Sequence, residues 1–318
     1  MLFFHMYVKL LLEAIMIISV SRRTDIPAFY MEWFINRINA GYVYVRNPMN
    51  RKQISDVSLK TEDVSCYVFW TKNPSEVIKY HDMINAPYMV QMTLTSYVKD
   101  IEKNLPDKRE IIDNIIKLSR MIGSERIVWR YDPILFTDKY TVDYHLEYFE
   151  KLCNYLEGSI NYCVISFVEV YKKVKAQLTH TKSLNEVDQE LFLKQMVFIA
   201  KKYNITIKMC GSDTDYTYLG ILKSQCIDET ILESMSIKGF KKDKYQRETC
   251  QCIESVDIGS YDTCLHGCVY CYANSNHAKA ALFYANFDSH SKLLGESLTG
   301  DELIKPRKIH KNHQITLF

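Results

Sequence analysis

The chain lacks a decisive charge, a membrane span and any internal repeat, and each absence narrows the reading. Forty basic residues against 38 acidic ones leave a net charge of +2. Charge therefore selects neither nucleic acid nor a small substrate as partner. No apolar run is long enough to cross a bilayer. Residues 1–15 are apolar but broken by His5, Lys9 and Glu13, and they have neither a charged start nor a small-residue cleavage site. That segment reads as an upstream start or a loosely docked helix, and the expected location is the cytoplasm. No low-complexity linker divides the sequence.

Ten cysteines are present. Secreted disulfide frameworks are short and loop-rich, whereas these 318 residues are 47% hydrophobic and strongly patterned, enough to bury a full core. Reduced thiols and metal are the expectation. Three of the cysteines stand close together, as Cys264-Leu-His-Gly-Cys268-Val-Tyr-Cys271. Intervening turns of three and two residues let the backbone curl around a small cluster, and soft thiolates suit iron–sulfur or zinc. The missing fourth cysteine is informative. A structural zinc site wants four closed ligands, whereas three thiolates on a four-iron cluster leave one iron open for chemistry. The zinc alternative is a knot with His266, Cys250 or Cys252 as fourth ligand.

Read in order, the chain alternates strands and helices. Ile15–Val20, Tyr42–Val45, Cys66–Trp70, Tyr88–Leu94, Arg126–Trp129, Tyr162–Val168 and Ile205–Met209 are apolar runs of strand length. Between them lie helical stripes. One is Met31, Phe34, Ile35 and Ile38, ending near Gly41; another begins at Ser75. Further stripes are Ile111, Ile115, Leu118 and Ile122; Val142, Leu146, Phe149, Cys153 and Leu156; and Val187, Leu191 and Phe198. Seven such units imply an α/β fold with a parallel sheet, a βα barrel or partial barrel. No eighth strand is legible after Ile231, where a helix and a basic turn follow. The expected division is an extension over 1–15, a barrel over 16–244 and a cysteine-bearing appendage over 245–318.

The strand ends carry Arg22, Arg23, Asp25, Arg46, Lys72, Arg130, Asp132, Glu169 and Lys208. In parallel α/β folds the C-terminal strand ends form the active face. Arg22, Lys72, Arg130 and Asp132 are the catalytic candidates, and the cationic rim suggests an anionic substrate. Cys210, Cys226, Cys250 and Cys252 are either an auxiliary iron–sulfur site or buried small apolar residues; the Cys250-Gln-Cys252 pair would present both sulfurs on one side of an extended segment. Cys66, Cys153 and Cys163 fall inside core patterns.

The trio, with Tyr270 before its last cysteine, resembles the cluster motif of radical S-adenosylmethionine (SAM) enzymes. Tyr272-Ala273-Asn274 is similar to the spore photoproduct lyase-like branch, where the run reads C-x-Y-C-Y-A. In that superfamily the motif lies near the N-terminus, and here it lies some 260 residues in. From about Met16 to the region of Gly300 the chain resembles a bacterial family, domain of unknown function 1848. The radical SAM resemblance implies a barrel of the TIM type and a [4Fe–4S] cluster on Cys264, Cys268 and Cys271. It also implies SAM on the open iron, cleavage to a 5′-deoxyadenosyl radical, and a reductant such as flavodoxin or ferredoxin. The stretches Trp70-Thr71-Lys72-Asn73 and Thr93-Leu94-Thr95 look like the strand ends that line the SAM pocket there. Thr71, Lys72, Thr93, Thr95 and Tyr270 are the cofactor-binding residues so implied. His266 reads as loop filler, and Gly267 as a point of close backbone approach. The substrate is open; the photoproduct lyase likeness points towards a nucleobase. Two other functions fit the sequence: a non-catalytic iron–sulfur or zinc protein binding nucleic acid, and a metal-independent hydrolase using Asp132 or Glu169.

Overall fold

The computed structural model describes residues 8–169, 174–244 and 250–317. The chain opens with β1 (Val8–Ile15) and β2 (Ile17–Val20), followed by α1 (Ile26–Phe29) and α2 (Met31–Ala40). Next come β3 (Tyr42–Asn47), β4 (Asn50–Ser58), β5 (Cys66–Thr71), α3 (Ser75–Lys79) and β6 (Tyr88–Thr93). Then follow α4 (Lys108–Ile122), β7 (Ile127–Ile134), α5 (Val142–Leu156), β8 (Tyr162–Phe167), α6 (Glu186–Lys202) and β9 (Thr206–Met209). The last part holds β10 (Leu222–Lys223), α7 (Glu229–Ser234), β11 (Val256–Asp257), α8 (His277–Ala285), β12 (Leu303–Pro306) and β13 (His310–Leu317).

The core is an eight-stranded sheet in the order β10-β9-β8-β7-β6-β5-β2-β11. Every pairing in it is parallel. From β2 to β10 each strand lies beside its predecessor. With right-handed crossovers this winding keeps the helices on one face. The side chains bear that out. Phe69, Val90, Trp129 and Ile165 pack with Phe34, Ile115, Phe149 and Phe192 of the helices. Their alternating neighbours Val68, Met89, Val128 and Val164 point the other way and pack with Ile227, Ile231, Leu232 and Ile253. Strands covered on both faces need apolar residues throughout, which is why they read as continuous runs. Among the described residues the edge strands β10 and β11 share no ladder.

The helices begin where the sequence supplies side-chain acceptors. Asp107 accepts from the Arg109 N–H at 2.8 Å, Thr141 from Tyr144 at 3.2 Å and Asn185 from Asp188 at 2.9 Å. Gly41, at φ +77°, closes α2 in the left-handed conformation that glycine adopts without penalty.

Four expectations need correction. The second strand of the expected series, β3, lies outside the parallel sheet; it pairs antiparallel with β4 in a separate sheet, completed by β12. Two short strands, β10 and β11, take the places of an eighth unit; at two residues each they are below what periodicity can detect. The stripe Val187, Leu191 and Phe198 faces outward on α6, at 76%, 55% and 66% exposure, while Phe192, Leu193 and Met196 bury the opposite face. Residues 8–15 are extended and not helical, paired antiparallel with β13. Cys66, Cys153 and Cys163 are buried free thiols, as read. Among the described residues no helix is long and apolar enough to cross a membrane.

The late strand β11 is fixed to the first strand of the sheet by one carboxylate. Asp257 accepts from Ser19 Oγ at 3.0 Å, Ser21 Oγ at 2.6 Å, Arg22 N at 2.7 Å and Gly259 N at 3.0 Å. Four donors on two oxygens fill most of its acceptor capacity. Gly259 is where the two segments come closest: a Cβ there would lie 2.1 Å from Ser21 Oγ. Gly259→Ala is expected to lower stability by about 1–3 kcal/mol through this overpacking, read as a lower urea midpoint at unchanged m-value.

Candidate functional site at the strand ends

Beyond the C-terminal ends of the strands lies a cavity of about 680 Å³, within the range of small-molecule sites. Its walls come from two parts of the sequence. Arg22, Lys72, Thr93, Arg130 and Asp132 enter from the ends of β2, β5, β6 and β7, and the loop 264–274 covers them from the C-terminal side.

That loop is held by backbone and by one aspartate. Val269 N donates to Ile101 O at 3.0 Å, Asn104 N to His266 O at 3.0 Å, and Asn104 Nδ2 to Leu265 O at 2.7 Å. Gly267 sits at φ +69°, and a Cβ on it would meet Asn104 Nδ2 at 3.1 Å. The tight approach expected of this glycine is therefore present. Asp25 joins three segments. Its Oδ1 caps α1 through Ala28 N at 2.9 Å, and its Oδ2 accepts from Lys72 N at 2.8 Å and from His266 Nε2 at 2.7 Å. His266 is thus an anchor and not loop filler. Its Nδ1 is buried with no hydrogen-bond partner.

All three cysteines of the trio border the cavity. Burial pushes their thiols up, Cys268 to about 12. Donors oppose this: His266 N–H points at Cys264, and the Ala273 and Asn274 N–H groups at Cys271. Lys72 acts on Cys268 through space. Among the described residues no three Cys, His, Asp or Glu side chains are set around a common point as ligands of a single ion.

Beneath Cys268 lies a buried charge group that the sequence did not reveal. Glu102 is 1% exposed and takes Lys72 Nζ at 2.7 Å, Lys108 Nζ at 3.1 Å and Thr95 Oγ1 at 2.9 Å, with a short bond from Tyr270 OH. Burial raises its carboxyl, but Lys72 and Lys108 outweigh that and hold it at about 2. Lys72 is raised because the Glu102 charge overcomes its desolvation, and Lys108 is lowered because burial dominates. Within this group two ammoniums face one carboxylate, and Asp25, bonded to Lys72 N and to His266, is a second anion beside the cysteine loop. Glu102 sits in a loop rich in ordinary solvated charges, so no periodicity or spacing marked it.

On the opposite wall Arg130 bonds Asp132 Oδ2 through Nε at 3.1 Å and Nη2 at 2.5 Å, Gln91 Oε1 at 3.3 Å and Cys226 Sγ at 3.7 Å. The guanidinium carbons of Arg22 and Arg130 lie 4.8 and 5.7 Å from the Trp70 ring centre. Arg22 Nη2, Thr24 Oγ1, Trp70 Nε1, Ser224 Oγ and Asn274 Oδ1 are buried without partners, and their residues line this one cavity. Such orphans cost about 1–3 kcal/mol each when nothing binds them. Five such atoms cluster in this one cleft.

The other expected rim residues divide. Glu169, Thr71 and Tyr270 border the cavity, as do Cys210, Cys226, Cys250 and Cys252. Thr95 does not; its hydroxyl is committed to Glu102. Arg46 belongs to the separate sheet, where it pairs with Glu302 at 2.8 Å. Arg23 pairs with Asp257, and Lys208 with Asp228 at 2.6 Å. These three followed strands in sequence, but their strands or loops turn them away from the cleft.

Held near 2 against an ordinary 4.5, the Glu102 carboxylate contributes stability that is complete above the ordinary value and is lost as pH falls through about 2. Glu102→Gln is expected to cost about 3 kcal/mol or more at neutral pH by leaving buried ammoniums unpaired, and to flatten the acid limb of the unfolding curve between about pH 4 and pH 2. A variant that melts like the parent at pH 7 would contradict this electrostatic account.

No curated protein matches the chain. The model of one protein family does match, that of a domain of unknown function (DUF1848), over residues 17–273. The match takes in every strand of the parallel sheet and ends just past Cys271. The chain is a member of the DUF1848 family, and both the sheet and the three-cysteine loop at its strand ends lie within the family's domain.

Proposed function

We propose that this chain is a radical SAM-like enzyme acting on an anionic, nucleotide-type small molecule, and that its open sheet is a partial βα barrel of that type. One observation carries the reading. Three loop cysteines stand at the strand ends, on the wall of a cavity that also gathers cationic side chains and unpartnered buried polar atoms. The late position of the motif in the chain is no obstacle, because chemistry needs adjacency in space and the loop lies against the residues that follow β2, β5 and β6.

Cys264, Cys268 and Cys271 would hold three irons of a [4Fe–4S] cluster, the thiolate donor set that iron prefers. With SAM on its remaining iron, such a cluster supplies a 5′-deoxyadenosyl radical that abstracts hydrogen. The chain's own residues would do the rest. The N–H groups of His266, Ala273 and Asn274 favour the sulfurs as thiolates. The Lys72 ammonium favours the same state at Cys268. Thr71, Thr93 and Tyr270 are the proposed contacts for SAM, and Thr95 acts as a positioning residue through Glu102. Lys72, bonded to Glu102 and to Tyr270 OH at 2.8 Å, orients the cluster loop and leaves substrate charge to Arg22 and Arg130. Trp70, beside both guanidiniums, is the aromatic surface proposed for a base or other flat group. Asp132, fixed by Arg130 and by a short bond from Ser166 Oγ, is the acceptor nearest that charge. The electron would come from a carrier such as flavodoxin or ferredoxin.

The test is anaerobic reconstitution with iron and sulfide, then reduction in the presence of SAM. The expected outcome is release of 5′-deoxyadenosine and methionine, abolished in a Cys264→Ala/Cys268→Ala/Cys271→Ala variant that keeps its secondary structure. A reconstituted, folded protein that takes up iron but neither binds nor cleaves SAM would overturn the proposal.

A further inference from the structure

We infer that Cys210, Cys226, Cys250 and Cys252 form a second, closed centre for a thiophilic metal, separate from the trio, which clasps the two edges of the parallel sheet. The four come from three stretches of chain. Cys210 follows β9 and Cys226 follows β10, at one edge, and Cys250 and Cys252 precede β11 at the other. No ladder among the described residues joins those edges. The cysteines do. Cys210 Sγ lies 3.3 Å from Cys226 Sγ, and Cys226 N donates to Cys252 Sγ at 3.3 Å. Cys250, two residues before Cys252, lines the same cavity.

Three cysteines in mutual contact, with a fourth two residues away on the same cavity, suit a metal better than they suit apolar filler. Thiolates about 2.3 Å from a tetrahedral ion lie about 3.8 Å from one another, close to the contact seen between Cys210 and Cys226. The sulfurs do not yet surround one point, so closure needs rearrangement of the side chains that carry them. Charge supports the assignment independently. A four-thiolate centre is anionic, and Arg130 Nη1 stands 3.7 Å from Cys226 Sγ. Arg22 Nη2, on the same cavity, is buried with nothing to bond. With four protein ligands the centre has no open position, so its work is architectural or electron-transferring, in contrast to the trio.

The inference does not rest on the radical SAM reading, and one set of variants separates the two. Metal and acid-labile sulfide are measured in the parent chain, in the Cys264→Ala/Cys268→Ala/Cys271→Ala variant, and in a Cys250→Ser/Cys252→Ser variant. The expected result is a thiolate-bound centre retained in the triple variant and lost when Cys250→Ser/Cys252→Ser is added. Zinc without sulfide identifies a single ion, and iron with sulfide a cluster; either supports the inference. A lowered melting temperature for the Cys250→Ser/Cys252→Ser variant, reproduced in the parent by a chelator, is the second readout. A folded triple variant free of metal, with these four thiols reactive or paired as a disulfide, overturns the inference, as does a Cys250→Ser/Cys252→Ser variant that keeps the parent's full metal content. If the triple variant does not fold, the difference between the parent and the Cys250→Ser/Cys252→Ser variant decides. Equal metal in parent and triple variant would sink the trio's assignment while leaving this one standing.

Discussion

The return of the chain to its own first strand is the constraint on which the site depends. Two residues of β11 add to the edge of β2, and Asp257 satisfies hydroxyl and backbone donors from the loop that leaves β2. So short a strand contributes little pairing. The carboxylate and the close approach at Gly259 supply the specificity that the ladder lacks. Once that seam is made, residues 264–274 have nowhere to go but over the strand ends, and Asp25 receives His266 there.

Electrostatics then sets the character of the cleft. Cations and anions share the cleft: Lys72 and Lys108 with Glu102 and Asp25, Arg130 with Asp132, and Arg22 against Trp70. Isolated, such charges would be costly in a low-dielectric interior. Pairing offsets that cost. The two cysteine groups each lie beside a cation, the trio by Lys72 and the other four by Arg130.

Much of this was legible in the sequence, and the failures have physical causes. Strands buried on both faces gave continuous apolar runs, so β2 and β5 to β9 could be read directly, and apolar stripes placed most of the helices. Tyr42–Val45 has the same composition as a core strand, and nothing local says that it turns into an antiparallel pair. Strands of two residues leave no pattern at all. On α6 apolar residues occupy two stripes, and periodicity alone cannot say which one faces the sheet; Val187, Leu191 and Phe198 are the wrong one. The cysteine trio and the cationic strand ends were found because spacing and fold position carry chemical meaning. Glu102, Asp257 and the anchoring role of His266 depend on contacts between residues far apart in sequence, which no window along the chain can reveal.

The sulfur-bearing loop and the pocket that receives it are made at different times. A ribosome releases Asp25, Lys72 and Glu102 long before Cys264, so the loop can dock only after the residues that receive it have been made. The wall formed by residues 264–274 is therefore the last part of the cleft to be completed.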